Sequence, residues 1–415
     1  MQEKFHRLDR GPCRYAYQDK PGIMSTTEVS LAKRRLALHD SFSFLVLVCI
    51  TVVLFFVTLF LFRSFTSHRA ELAVRWSERG RKALQAGKPQ EAIVALRTGL
   101  SYAPDTRSYQ LLLAQALEAA GHTDEATNYF MSLWTTQPGD GFINLELARL
   151  SVRKNQPKDA VKYYRASIYG TWEGNGVVRR REVRLELARY LIAQHDLNAA
   201  RLELLIAAGN SPSDPVLNRT LAGLLVETGD LTDGLKFYQK SLLTSPKNQE
   251  SLEGAARAAY TLGKFATAHS LLERALEAKG SPREKQPAPP SDLETMLVNS
   301  RRILELQPSG RLRPRDRVAR IVRDRALAKK RFDGCIARFN ASTGLPPSLM
   351  HLQQDWNGNE AAAGFGALLR DSAAQETMVQ LIYDTELQTS QFCGVPTGDD
   401  ALLLLLAQSP GGTER

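Results

Sequence analysis

Four cysteines, seven histidines and one arginine-dense stretch are where this 415-residue chain could carry chemistry. Cys13 lies in the N-terminal tail and Cys49 inside an apolar run, which leaves Cys335 and Cys393 in the water-facing part. No C-x-x-C occurs, so neither a dithiol redox motif nor a zinc knuckle is supported. In an oxidising compartment Cys335 and Cys393 would close a loop worth ~4 kcal/mol in the chain-entropy model, with Cα atoms within about 7 Å. The alternative is two unrelated buried thiols. Asp355, Asn357 and Asn359 open like a calcium loop. The sixth place, however, holds Glu360 instead of Gly, and the twelfth holds Gly366 instead of Glu. Asn359 capping a helix that starts at Glu360 explains the same residues with less.

The histidines are scattered, and His122, His195 and His269 fall in or beside helical segments. There is no Gly-rich phosphate loop with Lys-Ser/Thr, no H-E-x-x-H and no G-x-S-x-G. An enzyme in 311–415 would need a polar constellation there, and none is visible. No catalytic residue, metal ligand or cofactor is therefore expected. Asn218-Arg219-Thr220 and Asn340-Ala341-Ser342 match the glycosylation sequon, the first on a helical segment.

Residues 311–331 hold ten Lys and Arg against two Asp, with Val318, Ile321, Val322, Ala326 and Leu327 at helical spacing. From about Arg315 this reads as an amphipathic basic helix. It suits anionic lipid, an acidic protein or nucleic acid. The absence of interleaved aromatics argues against nucleic acid, and an ordinary solvated face is the simpler account. The net charge of +10 has the same two readings, an acidic partner or solubility alone.

The elements that must position these residues are helical. Across 73–282 a helix–turn–helix pattern recurs six times, centred on Ala92, Ala126, Ala160, Ala200, Gly234 and Ala268. Pro104 and Pro138 are one 34-residue period apart, and Pro212 and Pro246 repeat it. Such a period signals stacked helical hairpins. The third unit lacks its closing proline. A polar, glycine-rich insertion with Gly170, Gly174, Asn175 and Gly176 follows, flanked by Arg179 to Arg181, and it reads as a flexible break. After the array comes a Pro-rich spacer over 283–290. Ser291 with Glu294 marks a helix start, and the helix up to Pro308 is a candidate cover for the last repeat. Asp371–Leu387 and Asp399–Ala407 read as further helices of a C-terminal region, 291–415, with a frayed tail from Gly411.

Phe42 to Phe62 carries no charge and at 1.5 Å per residue spans roughly 31 Å, a bilayer core. It ends in Leu59, Phe60, Leu61 and Phe62, where a cleaved signal would need small residues, so it reads as an uncleaved anchor after a tail of 1–41. Lys33, Arg34 and Arg35 precede it, and Arg63, Arg69, Arg75, Arg79, Arg81 and Lys82 follow. Counted alone, these put the C-terminal side in the cytoplasm. Long domains translocate largely regardless of charge, and Cys335 with Cys393 favours an extracytoplasmic position. Residues 1–23 have no period, and Met24 opens a more natural lead-in, so Met24 is a candidate start.

The repeat positions resemble the tetratricopeptide repeat. In the first unit they are Trp76, Gly80, Gly87, Ala92, Leu96 and Pro104, and in the second Leu113, Ala114, Gly121, Ala126, Phe130 and Pro138. The resemblance implies an all-α superhelical solenoid with one N-terminal transmembrane helix and a helical C-terminal extension. It also implies a groove for a peptide or protein partner and no catalysis. In that family's arrangement Arg81, Arg149, Arg189 and Arg257 would turn into the groove, with Arg153 and Arg219 about one turn away. A guanidinium ladder grips partner carboxylates bidentately. The alternative is pairing within each helix, as with Glu146 and Arg149, Glu186 and Arg189, or Glu253 and Arg257. Glu118, Glu227 and Glu250 share the face. The expectation is a membrane-anchored interaction scaffold in a bacterial inner membrane, its repeats periplasmic, serving envelope assembly. The alternative is a cytoplasmic-facing regulator.

Overall fold

The computed structural model describes residues 26–209, 212–279, 291–340 and 344–409. Met24, the spacer over 283–290, Ala341 and Ser342 of the second sequon, and the tail from Gly411 lie outside the described residues. The chain divides into two compact units, Met1–Tyr129 and Phe130–Arg415. Among the described residues it forms eighteen helices and one isolated bridge.

In the first unit a single helix, α1 (Thr26–Gln85), runs without interruption from before the apolar stretch into the first repeat. Its side chains from Phe42 to Phe62 are all exposed. Thr51, Thr58 and Thr66 donate their hydroxyls back to the carbonyls of Leu47, Leu54 and Phe62 at 2.7, 2.7 and 3.0 Å. These threonine hydroxyls are thus satisfied within the helix. By length and composition α1 suffices to cross a membrane. Its last turns pack on α2 (Pro89–Tyr102). A Cβ on Gly80 would fall 2.5 Å from Leu96 Cγ, so only glycine allows this close crossing. Gly87, at φ +70°, ends α1 in the left-handed conformation. Helix α3 (Arg107–Ala119) and α4 (Thr123–Thr136) follow.

In the second unit the hairpins continue as α5 (Gly141–Arg153) with α6 (Pro157–Tyr169), and α7 (Gly176–Ala193) with α8 (Leu197–Gly209). Then come α9 (Pro215–Glu227) with α10 (Leu231–Thr244), and α11 (Gln249–Thr261) with α12 (Phe265–Lys279). Ala160, Ala200 and Ala268 are fully buried at the crossings, with Leu187, Leu204, Leu221 and Leu272 filling the seams. The left-handed residue that ends a first helix is Gly229 or Gly263 in the last two hairpins. In the two before them it is Asn155 at φ +54° and His195 at φ +60°, so His195 occupies a glycine's place.

The stretch after α6 is a clamp rather than the flexible break its composition suggests. Asp140 and Thr171 form a parallel bridge, in which the Gly141 N–H donates to Thr171 O and the Thr171 N–H to Gly139 O, each at 2.8 Å. Trp172 donates from Nε1 to Ser167 O at 2.9 Å and covers Gly141. A Cβ there would fall 2.4 Å from its ring nitrogen. The bridge does the work of the missing proline, because it fixes the exit of α6 against the entry of α5.

Ser291 caps α13 (Asp292–Leu306) through a reciprocal capping box with Glu294. This helix joins two cores. Leu293 packs with Leu271, Leu272 and Ala275 of α12, while Ile303 and Leu306 enter the C-terminal cluster. That cluster is built from α14 (Pro314–Asn340), α15 (Pro347–Gly358), α16 (Phe365–Arg370), α17 (Ser372–Cys393) and α18 (Asp399–Gln408). Trp356 stacks on Phe332 at 6.2 Å and donates to Thr385 Oγ1 at 3.0 Å. Two expectations are corrected here. Asn359 ends α15, donating to Asp355 O at 2.9 Å, and does not start a helix at Glu360. The helix expected to stop at Leu387 runs on to Cys393, where a disulfide to Cys335 closes α17 on α14 with Cα atoms 5.7 Å apart.

Candidate functional site

The first helices of successive hairpins carry the arginines, and the structure joins two of them, Arg149 and Arg219, to carboxylates of the next hairpin. Arg149 on α5 binds Glu186 on α7 bidentately, at 2.9 Å from Nε and 2.8 Å from Nη2, and also reaches Glu146 at 3.1 Å. Tyr164 on α6 donates to the same Glu186 at 2.8 Å. Burial pushes the Glu186 carboxyl up, but the bonds from Arg149 and Tyr164 and the nearby Arg189 outweigh it, so it is held below the usual range. Burial, helped by that negative charge, raises Tyr164, and hydrogen bonding to Glu186 raises Arg149. Arg219 on α9 pairs with Glu250 on α11 at 2.9 Å, and Arg257 on α11 stands 3.9 Å from Asp292 on α13. Arg153 is engaged as well. In the first unit Arg81 pairs with Glu78 at 3.0 and 2.5 Å.

The face is therefore of mixed sign, with ion pairs both within a helix and between neighbouring helices. These partners differ in how firmly they hold. Glu186 is half-buried, whereas the side chains of Glu250 and Asp292 are 74% and 87% exposed. Exposed pairs contribute only about 0–1 kcal/mol and exchange readily for another carboxylate.

Several polar residues on this framework were not singled out from sequence. Asn144 is fully buried, donating to Pro138 O at 2.8 Å and Asp140 O at 2.7 Å, and Trp134 Nε1 donates to it at 3.2 Å. Asn218 repeats the arrangement on Pro212 O at 3.3 Å and is also fully buried, which closes that sequon to an oligosaccharide. Both asparagines lie six residues after a unit-closing proline, a spacing that would have revealed them.

The basic stretch 311–331 keeps Arg311, Arg313, Arg315, Arg323 and Lys330 exposed, and turns several of its guanidiniums onto backbone carbonyls. Arg320 donates to the carbonyls of Leu304 and Gln307, Arg323 to Glu305 O at 2.8 Å, and Arg317 to Pro308 O at 3.0 Å. These guanidiniums satisfy the orphan carbonyls at the end of α13. Arg331 donates from Nε to Thr389 Oγ1 at 2.8 Å and from Nη2 to Gly394 O at 2.7 Å. Glu386 lies 3.3 Å from it but is fully buried, and neither carboxylate oxygen accepts a hydrogen bond. The guanidinium is aimed elsewhere, so burial dominates. With help from the Asp400 charge it pushes Glu386 up to about 8 against the pull of Arg331. Burial likewise pushes Asp324 up to about 7 against Arg323. Among the described residues no group of three or more His, Cys, Asp or Glu is arranged to hold a metal ion.

Helix hairpins with alanine or glycine at each crossing, stacked in phase, define an all-α tetratricopeptide-repeat array. Such repeats are protein–protein interaction scaffolds and are generally not enzymes. The model of the tetratricopeptide-repeat family matches residues 83–140. Protein FlbA of Caulobacter vibrioides is 28% identical over 179 residues, covering 42% of this chain. The match spans only 28% of that relative's length. Among solved structures, PilF of Pseudomonas aeruginosa is 16% identical with a TM-score of 0.38, covering 52% of this chain and 95% of that one. YrrB, described as a TPR protein with an unusual peptide-binding site, is 14% identical with a TM-score of 0.35, covering 46% and 96%.

Proposed function

We propose that this chain is a membrane-anchored scaffold whose repeats stand outside the cytoplasm of a bacterium and hold a peptide or protein partner during envelope assembly. The observation that carries this reading is α1, one helix whose apolar, fully exposed stretch continues into the first repeat without a break. Such a surface is unstable in water and suits lipid. The Cys335–Cys393 bond supports an oxidising compartment. Recognition falls to the first-helix face. There a carboxylate of the partner displaces Glu250 or Asp292 from Arg219 or Arg257, while the Arg149–Glu186–Tyr164 cluster stays closed and holds the hairpins in register. The test is protease protection in intact and permeabilised cells. Repeats cleaved once only the outer barrier is opened support the reading, and protection until the inner membrane is lysed reverses it. Arg63, Arg69 and Arg75 immediately after the apolar stretch favour that reverse orientation, which would make the chain a cytoplasmic-facing regulator.

A further inference from the structure

The fourth hairpin has a feature that the first-helix face does not use. A cleft of about 200 Å³ opens between α7 and α8, lined by Val177, Arg180, Arg181, Arg184, Ile206 and Ala207. Among the described residues no acidic side chain lines it. Arg184 forms its rigid wall, being only 13% exposed, paired to Glu203 and lying over the Tyr169 ring at 5.8 Å. Arg180 is exposed and donates to Gly170 O at 3.3 Å, a neutral acceptor that leaves its charge uncompensated. That carbonyl belongs to the clamp around Trp172, so the guanidinium is held in place before any ligand arrives. Val177 and Ile206 flank it, 62% and 54% exposed. Isolated exposed aliphatics need no explanation, but here two of them border one cationic cleft.

We infer that this cleft is a docking site for an acidic segment of a partner protein, one in which a carboxylate is neighboured by an aliphatic side chain. The carboxylate lies against Arg180 in a charge-assisted bond. The aliphatic side chain covers Val177 and Ile206. The volume suits a side-chain anchor and is smaller than the ~300–1,000 Å³ of small-molecule pockets. The apolar flanks favour a peptide over a free anion, and a cleft this small has no room for paired acyl chains. The inference rests on the scaffold reading above and adds a second site with stated chemistry.

The test uses a fluorescein-labelled peptide of alternating glutamate and leucine, and its lysine–leucine counterpart, titrated with the full chain in phosphatidylcholine nanodiscs and read by anisotropy. Arg180→Glu and Ile206→Asp should each weaken the acidic peptide by about tenfold or more, as loss of a central anchor does. Lys236→Glu, the same charge change on exposed α10, should have less than about a twofold effect. Ile206→Asp does not touch the Gly170 contact, so agreement of the two cleft variants separates docking from damage to the clamp. Equal loss in Lys236→Glu would reduce the effect to bulk charge and overturn the inference. So would failure of the wild-type chain to bind the acidic peptide, or co-sedimentation with phosphatidylglycerol vesicles that depends on Arg180. Binding unaffected by both cleft variants but lost in Arg219→Glu would overturn the cleft while leaving the scaffold reading standing.

Discussion

Glu386 should make the C-terminal helices less stable as the medium becomes more alkaline. Its carboxyl is fully buried, accepts no hydrogen bond, and carries a pKa raised from 4.5 to about 8. The folded state therefore keeps a proton that the unfolded chain has released. For an acid shifted upward, the cost of folding starts as pH passes the unfolded value and grows until it passes the folded one. At 1.36 kcal/mol per unit, the loss between pH 5.5 and 8.5 comes to roughly 3 kcal/mol from this residue. Asp324, raised from 3.8 to about 7, adds about 2 kcal/mol of the same sign. The carboxylates held low, Glu186 and Asp399, lose their contribution only in more acid conditions and do not offset this slope. Thermal unfolding of the full chain in detergent, followed by the fluorine resonance of 5-fluorotryptophan at Trp356, reads the right region because Trp356 bonds Thr385 beside Glu386. The midpoint should fall by roughly 15 °C across that window, and Glu386→Gln should remove about half or more of the fall. A midpoint that rises with pH, or a slope untouched by the substitution, would refute the assignment of Glu386 as a buried neutral acid.

Arg149→Ala leaves the half-buried Glu186 without its bidentate partner and should cost about 2 kcal/mol in denaturant unfolding. Adding Glu186→Gln should recover part of that, as a double-mutant cycle would record. Trp172→Ala should open the clamp at Gly141 and expose the Arg179–Arg181 bonds to limited trypsin, with fragments resolved by mass spectrometry, while the far hairpins stay protected. Cys393→Ser should lower stability by ~4 kcal/mol if the closed loop acts on the unfolded chain, and the non-reducing gel mobility of the wild type should change with reductant. His195→Gly should raise the melting temperature by an amount equivalent to about 1 kcal/mol, because φ +60° strains a histidine and not a glycine. Asn155→Gly should gain less, since asparagine tolerates that conformation.

What the sequence disclosed follows the range of the forces involved. The alanine at each crossing, the apolar stretch of α1 and the Ser291–Glu294 cap are local or periodic signals, and each was legible. The Gly170–Gly176 stretch was misread because its order comes from Trp172 folding over Gly141, a contact thirty-one positions away in sequence. Composition alone makes Gly, Asn and Thr look mobile. The arginines at 311–331 looked like a charged face for the same reason. The acceptors of Arg320 and Arg323 are carbonyls at the end of α13, and a sequence pattern shows side chains but not which backbone groups lack partners. The ladder of Arg149, Arg219 and Arg257 lay between these cases. Its spacing was legible, but an i,i+3 partner such as Glu146 competes with Glu186 in the next hairpin, and only packing decides that Glu186 receives the two stronger bonds.

The uninterrupted course of α1 has a mechanical consequence. A helix has no soft joint unless proline, a glycine pair or a bulge supplies one, and between Phe62 and Ala73 there is none. At 1.5 Å per residue, that interval sets the first repeat about 16 Å beyond the end of the apolar stretch. If the apolar stretch lies in a bilayer, as proposed, a scaffold mounted on such a post cannot swing its first hairpin to search for partners, as one on a Gly/Ser tether would. Its near end would then sample only a shallow layer over the bilayer surface. A partner engaging there would have to bring its own recognition segment down to that height, which would favour proteins that are themselves held in the membrane.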